Sequence, residues 1–331
     1  MSAVDLSLSP SKLFDVDGMV VVITGGGTGL GLMMATALEH NGATVYIVGR
    51  RSDILEKAAK EHNKFGKIIP IEGNITDRAS LLAITDVVRA RHGYIDLLVN
   101  NAGIARNLYP HPLPSPEDDI DGRQPMSPPA SPISESSEPS IKAFQDVLWD
   151  TGSVEEFAET FATNVTAVYY TTIAFLDLLH EGNLRRQRLA MANPIDANHH
   201  LRPPYHTSQV LSVSSSGSFR LDSRVLSPSY TLSKGACTQL GKLLANLLSP
   251  WGIRSNVLAP GVWPTDMTIR PTPGFALDPF ALADAVPLRR AGTQEDMAGT
   301  ILFLASRAGA YVNGAVWLVD GGRVGTVASS Y

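Results

Sequence analysis

Short apolar runs alternate along the chain with longer segments whose apolar residues line one helical face. Candidate strands fall at residues 20–24, 44–48, 67–71, 97–100, 210–214, 254–258 and 315–318. The apolar run at 19–23 reads as a buried parallel strand. Residues 30–40 are apolar on one side and stop at Asn41-Gly42, a helix with a glycine end. Helical periodicity returns over residues 157–179 and 236–248. Alternation of this kind predicts an α/β fold, a doubly wound parallel sheet with helices on both faces. Ligands of such sheets sit beyond the carboxyl ends of the strands, at the point where strand order reverses.

Two stretches interrupt the pattern. Residues 109–140 are dense in proline and serine, include Pro128-Pro129, and show neither period, which suits an extended or disordered insertion. Residues 183–206 carry Arg185-Arg186-x-Arg188 and His199-His200 and form a longer connection than a compact domain needs. The expectation is a single domain over residues 1–331 with two loop insertions. The histidines of the second insertion, including His206, lack ligand spacing and read as surface residues, so no metal site is expected.

Candidate chemistry sits at the predicted strand ends. Thr24-Gly25-Gly26-Gly27-Thr28-Gly29-Leu30-Gly31 joins the first strand to the first helix. Glycines there let the backbone approach a pyrophosphate, and a helix N-terminus offers N–H groups to the anion. Further on, Tyr230-Thr231-Leu232-Ser233-Lys234 places a phenol and an ammonium four residues apart, on one face if the segment is helical. An ammonium beside a phenol favours the phenolate, which equips the pair to exchange a proton with a carbonyl or alcohol.

These motifs occur in a telling order: Thr24-Gly25-x-x-x-Gly29-x-Gly31, Asn100-Asn101-Ala102-Gly103, Asn164, Ser214-Ser215, Tyr230-x-x-x-Lys234, then Pro260-Gly261-x-x-x-Thr265. Val286-Pro287-Leu288-Arg289-Arg290-Ala291-Gly292 and Val319-Asp320-Gly321-Gly322 follow. Together they resemble the short-chain dehydrogenases/reductases, compact single-domain NAD(P)-dependent oxidoreductases, from about Asp17 to Gly322. The resemblance implies a Rossmann-type sheet of about seven strands. It implies that Tyr230 gives and takes the proton and that Lys234 holds the nicotinamide ribose and eases Tyr230 ionisation. Ser215 would hydrogen-bond the substrate oxygen, with Ser214 and Ser216 as alternatives, and Asn164 would hold a water that links Lys234 to solvent.

The same resemblance assigns cofactor contacts to Thr24, Gly25, Gly27, Thr28, Gly29, Leu30 and Gly31, to Asn101, Ala102 and Gly103, and to Tyr230 and Lys234. Asn74 and Ile75 would meet the adenine, with an amide oxygen at Asn74 where the family usually has aspartate. Pro260, Gly261, Val262 and Thr265 would cover the nicotinamide, and residues 267–282, rich in Pro, Phe and Leu, would form a substrate lid with an apolar ligand. At the end of the second strand, Gly49 stands where NAD-preferring relatives carry an acid, and Arg50 and Arg51 follow. A guanidinium can make charge-assisted contacts to a 2′-phosphate that a carboxylate would repel. NADP(H) is therefore expected over NAD(H).

Composition adds limits. The 331 residues are 44% hydrophobic and 18% charged, ordinary for a globular enzyme. A net charge of −5 gives no argument for nucleic-acid binding. Cys237, the sole cysteine, excludes an intrachain disulfide, suits a reducing compartment and reads as a small core residue. Residues 1–17 lack a basic region followed by an apolar one, and no run is long enough to span a bilayer, so a cytoplasmic protein without a membrane partner is expected. The expected function is an NADP(H)-dependent ketoreductase or alcohol dehydrogenase acting on an apolar small-molecule substrate as a homodimer or homotetramer. The other class weighed is a non-redox sensor or scaffold that binds NADP on the same fold; an intact Asn164, Ser215, Tyr230, Lys234 set argues against it.

Overall fold

The computed structural model describes residues 8–109, 113–114, 140–192, 206–222, 227–265, 284 and 286–331. Its strands are β1 (Val20–Thr24), β2 (Thr44–Gly49), β3 (Ile68–Glu72), β4 (Leu97–Asn100), β5 (Gln209–Val213), β6 (Arg254–Pro260) and β7 (Val316–Val319). The helices are α1 (Pro10–Leu13), α2 (Gly29–Glu39), α3 (Ser52–His62), α4 (Arg78–Arg91), α5 (Ile141–Trp149), α6 (Val154–Phe161), α7 (Ala167–Ala174), α8 (Leu176–Ala192), α9 (Pro228–Leu248) and α10 (Gln294–Ala305).

All seven strands pair in parallel, in the order β3-β2-β1-β4-β5-β6-β7. Order reverses between β1 and β4, which opens a crevice at their carboxyl ends. The expected strands are all present, each within a residue or two of its expected bounds.

Alternation along each strand builds two cores. Val21, Ile23, Val45, Ile47, Leu97, Val99, Leu211 and Leu258 face Met34, Leu38, Leu55, Met297, Ile301 and Leu304 of α2, α3 and α10. Val20, Val22, Tyr46, Val48, Leu98 and Val210 face α4, α8 and α9 through Leu81, Ile84, Leu178, Leu179, Leu244 and Leu248. A side-chain period of two makes any register slip swap these sets, so burial fixes the register. Each large aliphatic side chain removed from water contributes about 1.5–3 kcal/mol, so the two layers dominate stability.

Two sequence expectations change here. The 157–179 helix begins earlier, at Val154, because Ser153 and Glu156 form a reciprocal capping box. It then passes through a π turn at Ala162–Thr166 into α7, and Phe175 separates α7 from α8. The second insertion is not loop from Asn183: α8 continues to Ala192. Polar pairing, which apolar periodicity does not register, holds that extension. Arg186 Nε donates 2.7 Å to Asp96 Oδ1, Asp96 Oδ2 accepts from Val20 N, and Asn183 donates to the carbonyls of Trp251 and Gly252.

His206 also departs from expectation, since it is buried rather than a surface residue. Burial pushes its imidazole down to about 3, and Arg186, Arg254 and Arg307 push the same way. Most of the first insertion and residues 193–205 of the second lie outside the described residues, as does the expected lid at 267–282. Beyond the first insertion, α5 is an amphipathic helix capped by Ser140, whose hydroxyl accepts from Ala143 N. Cys237 is buried as expected, and burial pushes its thiol up. No helix among the described residues is long and apolar enough to cross a membrane.

Candidate active site

The Tyr230–Lys234 pair lies in the first two turns of α9. Ser227 caps that helix by accepting from Tyr230 N at 3.1 Å, and Pro228 occupies its first position, where a missing N–H costs nothing. The spacing therefore does bring both side chains to one face: Lys234 Nζ is 5.9 Å from the centre of the Tyr230 ring. Lys234 is buried, and its ammonium donates 2.8 Å to the carbonyl of Val213 at the end of β5. Tyr230 is half-buried, so its phenol is not sealed from a ligand.

The serines after β5 divide sharply. Ser214 is buried and its hydroxyl is committed within the protein, to the Lys234 carbonyl at 2.8 Å and to Thr238 Oγ1 at 2.7 Å. Ser216 is buried as well. Ser215 is half-buried, and its Oγ accepts from Gly217 N at 3.0 Å. A methyl group at Gly217 would stand 3.2 Å from Ser215 Oγ and 3.9 Å from the Tyr230 ring, so the two side chains border one space. Among these three serines, Ser215 alone combines partial exposure with proximity to the phenol.

Asn164 sits in the π turn and is fully buried. Its Oδ1 accepts from Ile104 N, and its Nδ2 donates to Ile104 O and to Ser233 Oγ, each at 2.9 Å. The amide thereby joins the segment after β4 to the turn of α9 that precedes Lys234. A side chain at Gly103 would press on both, with a methyl group 3.1 Å from Asn164 Oδ1 and 3.2 Å from Lys234 Nζ. Lys234, Asn164 and Gly103 thus share one corner of the crevice.

The glycine turn is shaped for close approach. Gly25 and Gly29 have φ of 65° and 53°, a region that side chains disfavour. A methyl group at Gly31 would fall 2.2 Å from the Gly25 carbonyl oxygen, so α2 can begin that near the turn only without one. Thr28 precedes α2 without capping it through its side chain, which leaves the helix start to backbone groups and whatever anion meets them. Thr265 borders the turn, 3.3 Å from where a Gly29 methyl would stand, bringing the loop after β6 over the turn after β1. Gly27 instead faces α3, where a methyl group would stand 3.1 Å from Leu55, and Leu30 packs against the core, so Gly25, Gly29 and Gly31 are the glycines that shape a turn narrow enough for a dinucleotide's pyrophosphate.

Several other expected contacts lie around this crevice. Thr24 and Asn101 spend their side chains on the turn itself: Thr24 Oγ1 accepts from Asn101 N and Ala102 N, and Asn101 Nδ2 donates to the Thr24 and Gly25 carbonyls. Asn74 Oδ1 already accepts from Thr76 N and Oγ1, so an adenine amine would share it; Ile75 beside it is half-buried. Arg50 and Arg51 follow β2 and are exposed. Pro260 ends β6, Val262 is buried behind it, and Gly261 packs where a methyl group would meet the Asp320 backbone at 2.6 Å.

Sequence reasoning passed over a buried hydroxyl and amide network beside Tyr230. Ser227 Oγ donates 2.6 Å to the Arg106 carbonyl and lies 3.0 Å from Ser229 Oγ, which donates 2.8 Å to Asn107 Oδ1. The Ser227-Pro228 pair, a cap followed by proline, is the signal that marks this helix start.

Comparison with known proteins gives a consistent picture. The family model described as short chain dehydrogenase matches residues 19–118, and one described as enoyl-(acyl carrier protein) reductase matches residues 194–323. A short-chain dehydrogenase/reductase of Byssochlamys spectabilis, VdtF, is 43% identical over 98% of this chain and 99% of its own length. Another from Diaporthe leptostromiformis, PhomF, is 39% identical over 100% of this chain and 99% of its own. Among solved structures, the Pseudomonas aeruginosa RhlG/NADP active-site complex matches with a TM-score of 0.69 and 25% identity, covering 94% of this chain and 98% of that one.

Proposed function

The chain belongs to the short-chain dehydrogenase/reductase family, and from that premise we propose that it is an NADP(H)-dependent oxidoreductase acting on a carbonyl or alcohol. The observation that carries the proposal is the Tyr230–Lys234 pair on one face of α9, bordered by the half-buried Ser215. When bound, the nicotinamide supplies a hydride to the carbon of the C–O bond or accepts one from it. Tyr230 gives the oxygen its proton during reduction and removes it during oxidation. Ser215 donates to the same oxygen and stabilises the charge that develops there. Lys234, held beside the phenol by the Val213 carbonyl, would hold the nicotinamide ribose. Asn164 fixes Lys234's side of the crevice through Ile104 and Ser233.

Preference for the phosphorylated cofactor is supported by exposed Arg50 and Arg51 at the end of β2, where Gly49 replaces an acid. Solved neighbours include complexes with NADP and with NADH, so the preference rests on these arginines. The Pro-, Phe- and Leu-rich sequence at 267–282 supports an apolar substrate. Exposed Tyr169 and Ile173 on α7 and Leu243 and Leu247 on α9 support a homodimer or homotetramer paired through those helices. A screen of apolar ketones with NADPH, read by loss of nicotinamide absorbance, tests the reading. Turnover by the wild type and none by Tyr230→Phe supports it; equal turnover by both removes Tyr230 from the chemistry.

A further inference from the structure

We infer that Asn107 is a positioning residue for Tyr230, acting as a latch that holds the start of α9 in place. This rests on the proposed role of Tyr230 in proton transfer. Asn107 lies after the Asn101-Ala102-Gly103 segment, is 8% exposed, and has φ of 51°. Among residues with a side chain, asparagine is one of the few that accept this left-handed backbone.

The amide meets two segments at once. Its Oδ1 accepts from Ser229 Oγ at 2.8 Å, next to Tyr230 in the chain. Its Nδ2 donates to the carbonyls of Thr151 and Ser153, at 3.4 and 3.3 Å, in the turn between α5 and α6. Beside it, the Arg106 carbonyl accepts from Ser227 Oγ at 2.6 Å, and Ser229 Oγ, whose proton goes to Asn107, lies 3.3 Å from it. Ser227 in turn caps α9 by accepting from the backbone N–H of Tyr230. The path from Asn107 to the phenol therefore runs through the two serines that begin α9, with no ligand between.

The surroundings are built to fit this amide. Gly152 has φ of 74°, and a methyl group there would stand 2.1 Å from Asn107 Nδ2. The turn can close over the amide only because Gly152 carries no side chain. Leucine or alanine at 107 would lose the bonds and oppose the left-handed backbone, whereas glycine at that position keeps the backbone and deletes only the latch. Aspartate would keep the acceptor for Ser229 but turn a carboxylate oxygen toward two carbonyls.

The catalytic consequence follows from geometry. A displacement of about 1 Å in a positioned group costs about a hundredfold in rate, and the first turn of a helix is the part that frays. Loosening the turn that carries Tyr230 weakens its alignment with Lys234 without touching the glycine cradle or Arg50. A residue that merely contributed stability would lower the melting temperature and leave the pH profile of kcat unmoved.

The test compares wild type, Asn107→Gly and Asn107→Asp in the full chain. Hydrogen exchange is followed over the start of α9, with α3 as internal reference, alongside NADPH affinity, kcat and the pH profile of kcat. For Asn107→Gly the latch predicts exchange at the start of α9 faster by about tenfold with α3 unchanged. It also predicts kcat lower by about ten- to a hundredfold, a displaced pH profile, and an unchanged NADPH Kd. Asn107→Asp should fall on the same side as glycine. Unchanged exchange at α9, or slower turnover with an unmoved pH profile, would overturn the inference. If the wild type reduces no carbonyl compound, the redox reading fails instead, and the exchange measurement still decides whether the latch exists.

Discussion

Lys234 Nζ stands 5.9 Å from the centre of the Tyr230 ring, on the same face of α9 and with its ammonium anchored on the Val213 carbonyl at 2.8 Å. The anchor matters as much as the distance. A flexible four-carbon stem would otherwise let the charge wander, and β5 fixes it beside the phenol. Replacing Tyr230 by Phe keeps the ring and removes the hydroxyl. Steady-state assays should show kcat lower by about 10²–10⁴-fold, with NADPH affinity retained, because the cradle lies on other elements.

The two adjacent serines should separate by what they lose. Ser214→Ala removes a buried hydroxyl bonded to Lys234 O and Thr238 Oγ1, costing about 1 kcal/mol of stability. Ser215→Ala gives up a half-exposed cap on Gly217 N, so it should cost about as much stability as the Ser214 variant and, unlike it, also lower kcat. Urea melts and kinetics on both variants check this, and the reverse pattern would reassign the substrate contact.

His206 should make the fold acid-sensitive. Its imidazole is buried neutral, accepting from Arg186 Nη1 at 3.3 Å, with a folded value of about 3 against 6.5 when unfolded. Between those values the unfolded chain binds the extra proton. The stabilisation is therefore complete above 6.5 and declines as pH falls toward 3, by up to about 1.4 kcal/mol per pH unit. Glu39 adds in the same direction at lower pH. Burial raises its carboxyl, but donors from Lys64, Phe65 and Lys67 outweigh that and hold it below 4.5. Urea midpoints measured across this range should slope less steeply in His206→Gln than in the wild type; equal slopes would contradict the assignment.

Gly152 and Gly66 offer a matched pair. Both have positive φ, 74° and 72°, but a methyl group at Gly66 meets nothing within 4 Å, whereas at Gly152 it meets Asn107 Nδ2 at 2.1 Å. Gly66→Ala should cost only the backbone term, about 1 kcal/mol. Gly152→Ala should cost clearly more in urea unfolding and slow turnover as well. Equal losses would show that the turn yields without disturbing Asn107.

Much of this was legible in the sequence. Val and Ile runs marked strands such as β1 and β2, and Gly25, Gly29 and Gly31 marked a turn that the structure packs tightly against the start of α2. What periodicity could not show depends on polar groups satisfied across long sequence separations. Arg186 reaches Asp96 and carries α8 past Asn183, into a stretch that reads as loop because it lacks apolar spacing. The π turn around Asn164 adds a residue to one turn and leaves no compositional trace. Asn107 reads as an ordinary loop residue until Ser229, Thr151 and Ser153 are brought around it.

On the proposed function, the crevice at the β1–β4 switch takes NADPH for reduction of a carbonyl. Side-by-side titration of the wild type and Arg50→Glu with NADPH and NADH, followed by energy transfer from tryptophan to nicotinamide, tests it most directly. Wild type should bind NADPH saturably and in clear preference to NADH, and Arg50→Glu should lose or reverse that preference. Binding of neither cofactor by the wild type, or equal affinity for both, would contradict it.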